Sequence, residues 1–253
     1  MTVKIRVMPT LLFRDMGLVK GVGFDSWRRT GSAMQAIKVY NMREVDELVF
    51  LDIRATPDGR DPDFAQIDEL ADECFMPMTV GGGVRNPDHI GGLLAVGADK
   101  VAINTAALAR PGLIRDGALR YGSQCIVVSI DVLRHPDGRL EVMSHCGKQA
   151  TGRDPVEWAK EAEAMGAGEI LLTSVDRDGT FEGYDVALTR AVVDALKIPV
   201  IASGGCGKYE HMAEVLAKGK ADAVAAASIF HFTEQTPREA KLYLKSQGFK
   251  VRV

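Results

Sequence analysis

Cysteine is scarce in this chain: Cys74, Cys125, Cys146 and Cys206 lie far apart, and no two form a Cys-x-x-Cys pair. That spacing excludes a zinc knot and a disulfide framework. It fits a reducing compartment, with the four thiols expected as packing residues. No histidine stands at metal-ligand spacing from another, so no metal is expected. Long apolar runs are missing too. None approaches the ~20 residues of a membrane span, and Thr2-Val3-Lys4-Ile5-Arg6 lacks the apolar core of a signal peptide. The expected location is cytoplasmic. Charge of one sign is also lacking: the net charge is −3 over 253 residues, with acids and bases interspersed. Such a balance offers no electrostatic capture of nucleic acid or an anionic membrane, so recognition must be local. There is no P-loop and no Pro/Gly/Ser linker; no cofactor is expected, and a single domain over 1–253 is.

What is present is a series of short apolar runs: 5–12, 47–53, 77–80, 100–104, 125–131, 169–174, 199–203 and 223–227. Helical patterns, such as 154–165 and 185–196, separate most of them, and a hairpin insert is expected at 136–140. Alternation of this kind predicts a parallel β/α architecture, and a chain of roughly 250 residues is the usual size of one (β/α)8 TIM barrel. The run Cys125-Ile-Val-Val-Ser-Ile-Asp131 is continuous, without polar alternation, and it ends in a carboxylate. It suits a strand buried on both faces, with its acid at the carboxyl end where α/β folds build their sites.

An internal repeat strengthens the barrel assignment. Pro77-Met-Thr-Val-Gly-Gly-Gly83 matches Pro199-Val-Ile-Ala-Ser-Gly-Gly205, and Glu47-Leu-Val-Phe-Leu matches Glu169-Ile-Leu-Leu-Thr, both at an offset of about 122 residues. Two half-barrels, about 1–122 and 123–253, make eight strands with approximate two-fold symmetry. In each half a strand passes into glycines before a helix: Gly82 and Gly83 in one, Ser203, Gly204 and Gly205 in the other. Backbone N–H groups free of Cβ can approach an anion there. Asn104-Thr105 and Ala227-Ser228 occupy matching positions on the next strands. Each half would then supply one phosphate cup, and a phosphorylated small-molecule substrate with two anionic ends follows.

Asp176-Arg-Asp-Gly179 adds a carboxylate-rich loop at the same face, with Gly179 in the substrate-binding set. Asp131 and Asp178 are the candidates for proton transfer between the cups, and Asp52 is a hydrogen-bonding organiser on the same rim. At the opposite end Arg6, Glu47, Lys100 and Glu169 stand at strand starts, where two acids and two bases could form an ionic ring. Such a ring stabilises the fold, and it can also gate a passage.

Over nearly its whole length the chain resembles the cyclase subunit of imidazole glycerol phosphate synthase, the HisF family. The motifs are Asp46-Glu-Leu-Val-Phe-Leu-Asp52, Val80-Gly-Gly-Gly-Val-Arg85, Ala98-Asp-Lys-Val-Ala-Ile-Asn-Thr105, Gly122-Ser-Gln-Cys-Ile-Val-Val, Gly166-Ala-Gly-Glu-Ile-Leu-Leu-Thr-Ser174, Asp176-Arg-Asp-Gly-Thr180 and Ala226-Ala-Ser-Ile-Phe-His-Phe232. The resemblance implies a barrel receiving ammonia from a HisH-like glutaminase docked on its bottom face. It also implies that Arg6, Glu47, Lys100 and Glu169 form the ammonia gate.

One departure bears on the reaction. The family's cyclase uses an aspartate on the first strand and another on the fifth; here the second is Asp131, while Pro9-Thr10-Leu11-Leu12 puts a leucine where the first belongs. The internal repeat agrees, since Ser129-Ile-Asp131 laid on Thr10-Leu-Leu12 leaves Asp131 without a symmetric acid. Asp15, further along the loop, is not expected to substitute. Pro9-Thr-Leu-Leu-Phe-Arg-Asp-Met-Gly-Leu-Val-Lys20 and Val39-Tyr-Asn-Met-Arg-Glu-Val-Asp-Glu-Leu48 resemble a paralogous branch associated with acetamidino-sugar formation for surface polysaccharide. The resemblance therefore implies a synthase subunit of a glutamine amidotransferase acting on an N-acetylated nucleotide sugar, with Lys20 clamping an anionic group. The alternatives are the histidine-pathway cyclase itself and a non-catalytic scaffold that activates a glutaminase.

Overall fold

A computed structural model describes residues 4–253. Its strands are β1 (Arg6–Arg14), β2 (Gly17–Val22), β3 (Asp25–Gly31), β4 (Leu48–Asp52), β5 (Met78–Gly81), β6 (Lys100–Ile103), β7 (Ile126–Arg134), β8 (Leu140–Ser144), β9 (Gln149–Ala150), β10 (Glu169–Ser174), β11 (Val200–Ser203) and β12 (Ala223–Ala226). Eight of these pair in parallel in the order β10-β11-β12-β1-β4-β5-β6-β7, and β10 pairs with β7 to close the ring. This is the expected (β/α)8 barrel, with helices between the strands. In the ring order β1 and β7 lie diametrically opposite one another.

The helices cover the barrel with apolar faces, and several begin on a side-chain cap. Asp63, Asn86, Asp154 and Asp185 each accept a hydrogen bond from a first-turn backbone N–H, which satisfies donors the helix leaves open. Inside the ring, Met8, Val49, Val127, Leu171, Ile201 and Ala223 form a closed apolar layer with essentially no exposure. Alternation then brings Thr10 and Leu12 on β1, and Ser129 and Asp131 on β7, to the same inner face above it. Among the described residues no helix is long and apolar enough to cross a membrane.

Two strand ends differ from the expected ones for a common reason. The run 125–131 begins with Cys125 in a 3-10 turn, and its strand continues past Asp131 to Arg134, because Asp131, Val132, Leu133 and Arg134 pair antiparallel with β8. Asp131 thus sits within a strand rather than at its exit. Likewise β1 continues past Leu12 to Arg14, where Leu12, Phe13 and Arg14 pair antiparallel with β2. Each half therefore carries a hairpin on its first barrel strand; the sequence predicts the one at 136–140, whereas nothing in it marks β2 and its partner β3. The glycines of that hairpin and the exposed Arg28 and Arg29 hide the alternation of a half-buried strand.

Candidate functional site

At the amino-terminal ends of the strands, Arg6, Glu47, Lys100 and Glu169 close into one ring. Arg6 donates to Glu47 at 2.6 Å and is ion-paired with Glu169, while Lys100 reaches Glu47 at 2.8 Å and Glu169 at 3.0 Å. The Thr79 hydroxyl donates to Glu47 at 3.0 Å. Burial works against an ionised Glu47, but Arg6 and Lys100 outweigh it and hold the carboxyl below its ordinary value. Both acids are buried and both bases remain partly exposed. The ring is therefore open to solvent on one side and backed on the other by the apolar layer.

At the opposite end the barrel opens into a cavity of about 140 Å³. Thr10, Leu12, Asp52, Asp131 and Asp178 line it, with Lys20, the four cup glycines and Asn104, Thr105, Ala227 and Ser228. Burial, reinforced by the charge of Asp178, pushes the Asp131 carboxyl up to about 7, although the Asn104 amide donating to it at 2.8 Å opposes the rise. A carboxyl there exchanges protons readily near neutrality. Asp178 is also raised by burial, against the pull of Lys20, with which it forms a buried ion pair. Lys20 is committed to this pair and to the Gly21 carbonyl at 3.1 Å. Asp52 accepts from the backbone of Arg54 at 2.8 Å and of Ala55 at 3.0 Å, shaping the loop that follows β4.

Leu12, on the strand opposite Asp131, faces this cavity. Asp15 does not take its place: it is exposed in the turn after β1, its nearest charge being Arg14 at 3.6 Å. No other carboxylate lines the cavity beyond Asp52, Asp131 and Asp178 among the described residues.

The glycines of the two cups are demanded by close approach. Gly82 has φ +115°, and a Cβ there would lie 2.3 Å from the Asp52 carbonyl oxygen; Gly204 has φ +90°, and its Cβ would lie 2.6 Å from the Ser174 carbonyl. Gly82→Ala is expected to destabilise the protein by roughly 1–3 kcal/mol, read as a lower midpoint of denaturant unfolding. Gly112, which has open space around it, is the control; Gly112→Ala should be neutral or slightly stabilising.

The structure brings together every expected residue at its end of the barrel and adds others. Thr10, Ser129 and Thr173 line the cavity, and they could have been found by counting two residues back from Leu12 and Asp131, or by inward alternation on β10. Phe24, Trp27 and Cys146 also line it, and nothing local announces them, because hairpin folding carries them over the mouth. Cys146 was expected as a packing residue; instead its thiol faces the cavity rim, donates to the Ile53 carbonyl at 3.3 Å, and is pushed up to about 12 by burial and by Asp131. Its neighbour His145 donates its backbone N–H to Thr105 at 3.0 Å, fastening the turn over the first cup. A family model described as histidine biosynthesis protein matches residues 6–236.

Proposed function

The chain belongs to the histidine biosynthesis protein family, and on that premise we propose that it is the ammonia-using synthase subunit of a two-component glutamine amidotransferase. Its proposed substrate is an N-acetylated nucleotide sugar, converted to an acetamidino sugar for surface polysaccharide. The observation that carries this reading is Leu12, a hydrocarbon side chain in the cavity on the strand facing Asp131. Leucine neither donates nor accepts a proton, so chemistry that needs two opposed acids is poorly served.

In the proposed reaction a HisH-like glutaminase docks over the ionic ring and releases ammonia there. Charged ammonium would be costly to carry through the apolar layer formed by Met8, Val49, Val127, Leu171 and Ile201, whereas neutral ammonia passes with little penalty. It emerges beneath Asp131. With the amide oxygen already phosphorylated, the nitrogen attacks the amide carbon, the C–N bond forms and the C–O bond to phosphate breaks, while Asp131 takes a proton from the nitrogen and passes it to the departing phosphate, a shuttle suited to a carboxyl near neutrality. The Lys20–Asp178 pair orients the substrate, and the glycine cups hold its diphosphate or other anionic groups. Expelling an amide oxygen needs prior activation, supplied by a companion enzyme using ATP.

The test is purified protein with its glutaminase, the companion ligase, ATP, glutamine labelled in the amide nitrogen and the nucleotide sugar. Labelled amidino product is expected by mass spectrometry; its absence, with both partners shown to be active, contradicts the proposal. A second reading, the histidine-pathway cyclase, is favoured by the family's description and by Asp178, which supplies another carboxyl in the cavity.

A further inference from the structure

We infer that the wall formed by Leu12 and Thr10, together with Asn104, is a subsite for a short N-acyl amide, which makes Leu12 and Thr10 specificity-determining residues. The inference rests on the proposed amidotransferase reading and deepens it by saying which part of the substrate each side of the cavity receives.

The two sides of the cavity differ in kind. On the β7 side stand Asp131, its partner Asn104 and, nearby, the Asp178–Lys20 pair. On the β1 side Leu12 stands with Leu51, its register partner on β4, and with Thr10 two residues earlier on the same strand face. A ligand group spanning the space meets hydrogen-bonding and titratable groups at one end, and hydrocarbon with one hydroxyl at the other. An acetamido group can match both ends: its N–H turned to Asn104, its methyl to Leu12 and Leu51, and its carbonyl to the Thr10 hydroxyl.

Two unpartnered atoms point the same way. The Thr10 hydroxyl and the Asn104 Oδ1 are buried, both residues line the cavity, and neither atom has a hydrogen-bond partner. Thr10 is only 8 % exposed. Asn104 spends its amide nitrogen on Asp131, so its oxygen is left as an acceptor and calls for a ligand N–H. The Thr10 hydroxyl can donate to a ligand carbonyl, as can Asp131 when it carries a proton. Buried polar groups without partners are costly, and a ligand that completes them gains by doing so. A sugar hydroxyl in place of the acylamino group would offer nothing to the leucines.

UDP-N-acetylglucosamine and UDP-glucose are suitable probes, since they differ in an acylamino group against a hydroxyl on one ring carbon. Calorimetric titration of the full chain should give a preference of roughly tenfold for the acylamino sugar, the sum of one buried methyl and one hydrogen bond. Saturation-transfer NMR should mark the acetyl methyl most strongly. Leu12→Asp and, independently, Thr10→Val should each reduce that preference, with cooperative thermal melting showing that each variant is folded; a preference unchanged in both folded variants would overturn the subsite. Equal affinity for the two sugars, an unsaturated methyl, or binding of neither would overturn the subsite. If amidino product still forms under any of those outcomes, the subsite alone is wrong; if no product forms with active partners, the amidotransferase reading falls with it.

Discussion

Replacing Asp131 with asparagine is expected to lower product formation by ~10²- to 10⁴-fold, the usual contribution of a positioned proton-transfer group, while making the protein more stable. The two effects share one cause. Burial, and then the charge of Asp178, raise this carboxyl from 3.8 to about 7. The native state therefore binds the proton more tightly than the unfolded chain. That contribution to stability is fully present below about 3.8 and is lost as pH rises through about 7. By linkage the loss is of the order of a few kcal/mol. Asp131→Asn removes the ionisation, so its melting temperature should match the parent below about 3.8, exceed it increasingly as pH rises to about 7, and exceed it by a constant margin above that. The pH–rate profile of the ammonium-driven reaction should break near 7 in the parent and lose that break in the variant. A variant that forms product at the parental rate would place the chemistry elsewhere and favour a scaffold role.

Glu169→Gln should separate ammonia delivery from ammonia use. The ring holds two acids against two bases, and Glu169 is paired with both Arg6 and Lys100. Removing it leaves Glu47 to balance two cations; breaking a buried pair in this way typically costs several kcal/mol, less where the bases are partly exposed, as here. The expected result is a large loss of glutamine-driven product with activity on added ammonium salt retained, measured side by side on protein that still melts cooperatively. Equal loss with both nitrogen sources would mean that the ring serves the fold alone.

The barrel was legible because eight apolar runs recur between helical patterns and because two glycine-ended strands repeat at one offset. The ionic ring was legible as well, since each member is a charge standing at the start of an apolar run. The contrast of Asp131 with Leu12 needed only the repeat. The rest depended on folding at a distance. Lys20 looked free to clamp an anion, but β2 continues from β1 and carries it onto Asp178, a pairing across 158 positions of sequence. Cys146 and Phe24 reach the cavity because both hairpins fold back over it, with Phe24 packed against Gly147. Overlong strands explain both cases: β1 and β7 leave the barrel still paired, and the residues beyond the sequence-read ends belong to hairpins that cover the mouth.

On the proposed reading, Leu12, facing Asp131 across the cavity, marks a substrate other than the one closed to an imidazole. The most direct measurement is growth without histidine of a strain lacking its own histidine cyclase, supplied with this chain and its glutaminase, both confirmed as expressed. No growth is the predicted result. Growth at the normal rate would contradict it and make this barrel a histidine-pathway cyclase that manages with a leucine where its relatives place an acid.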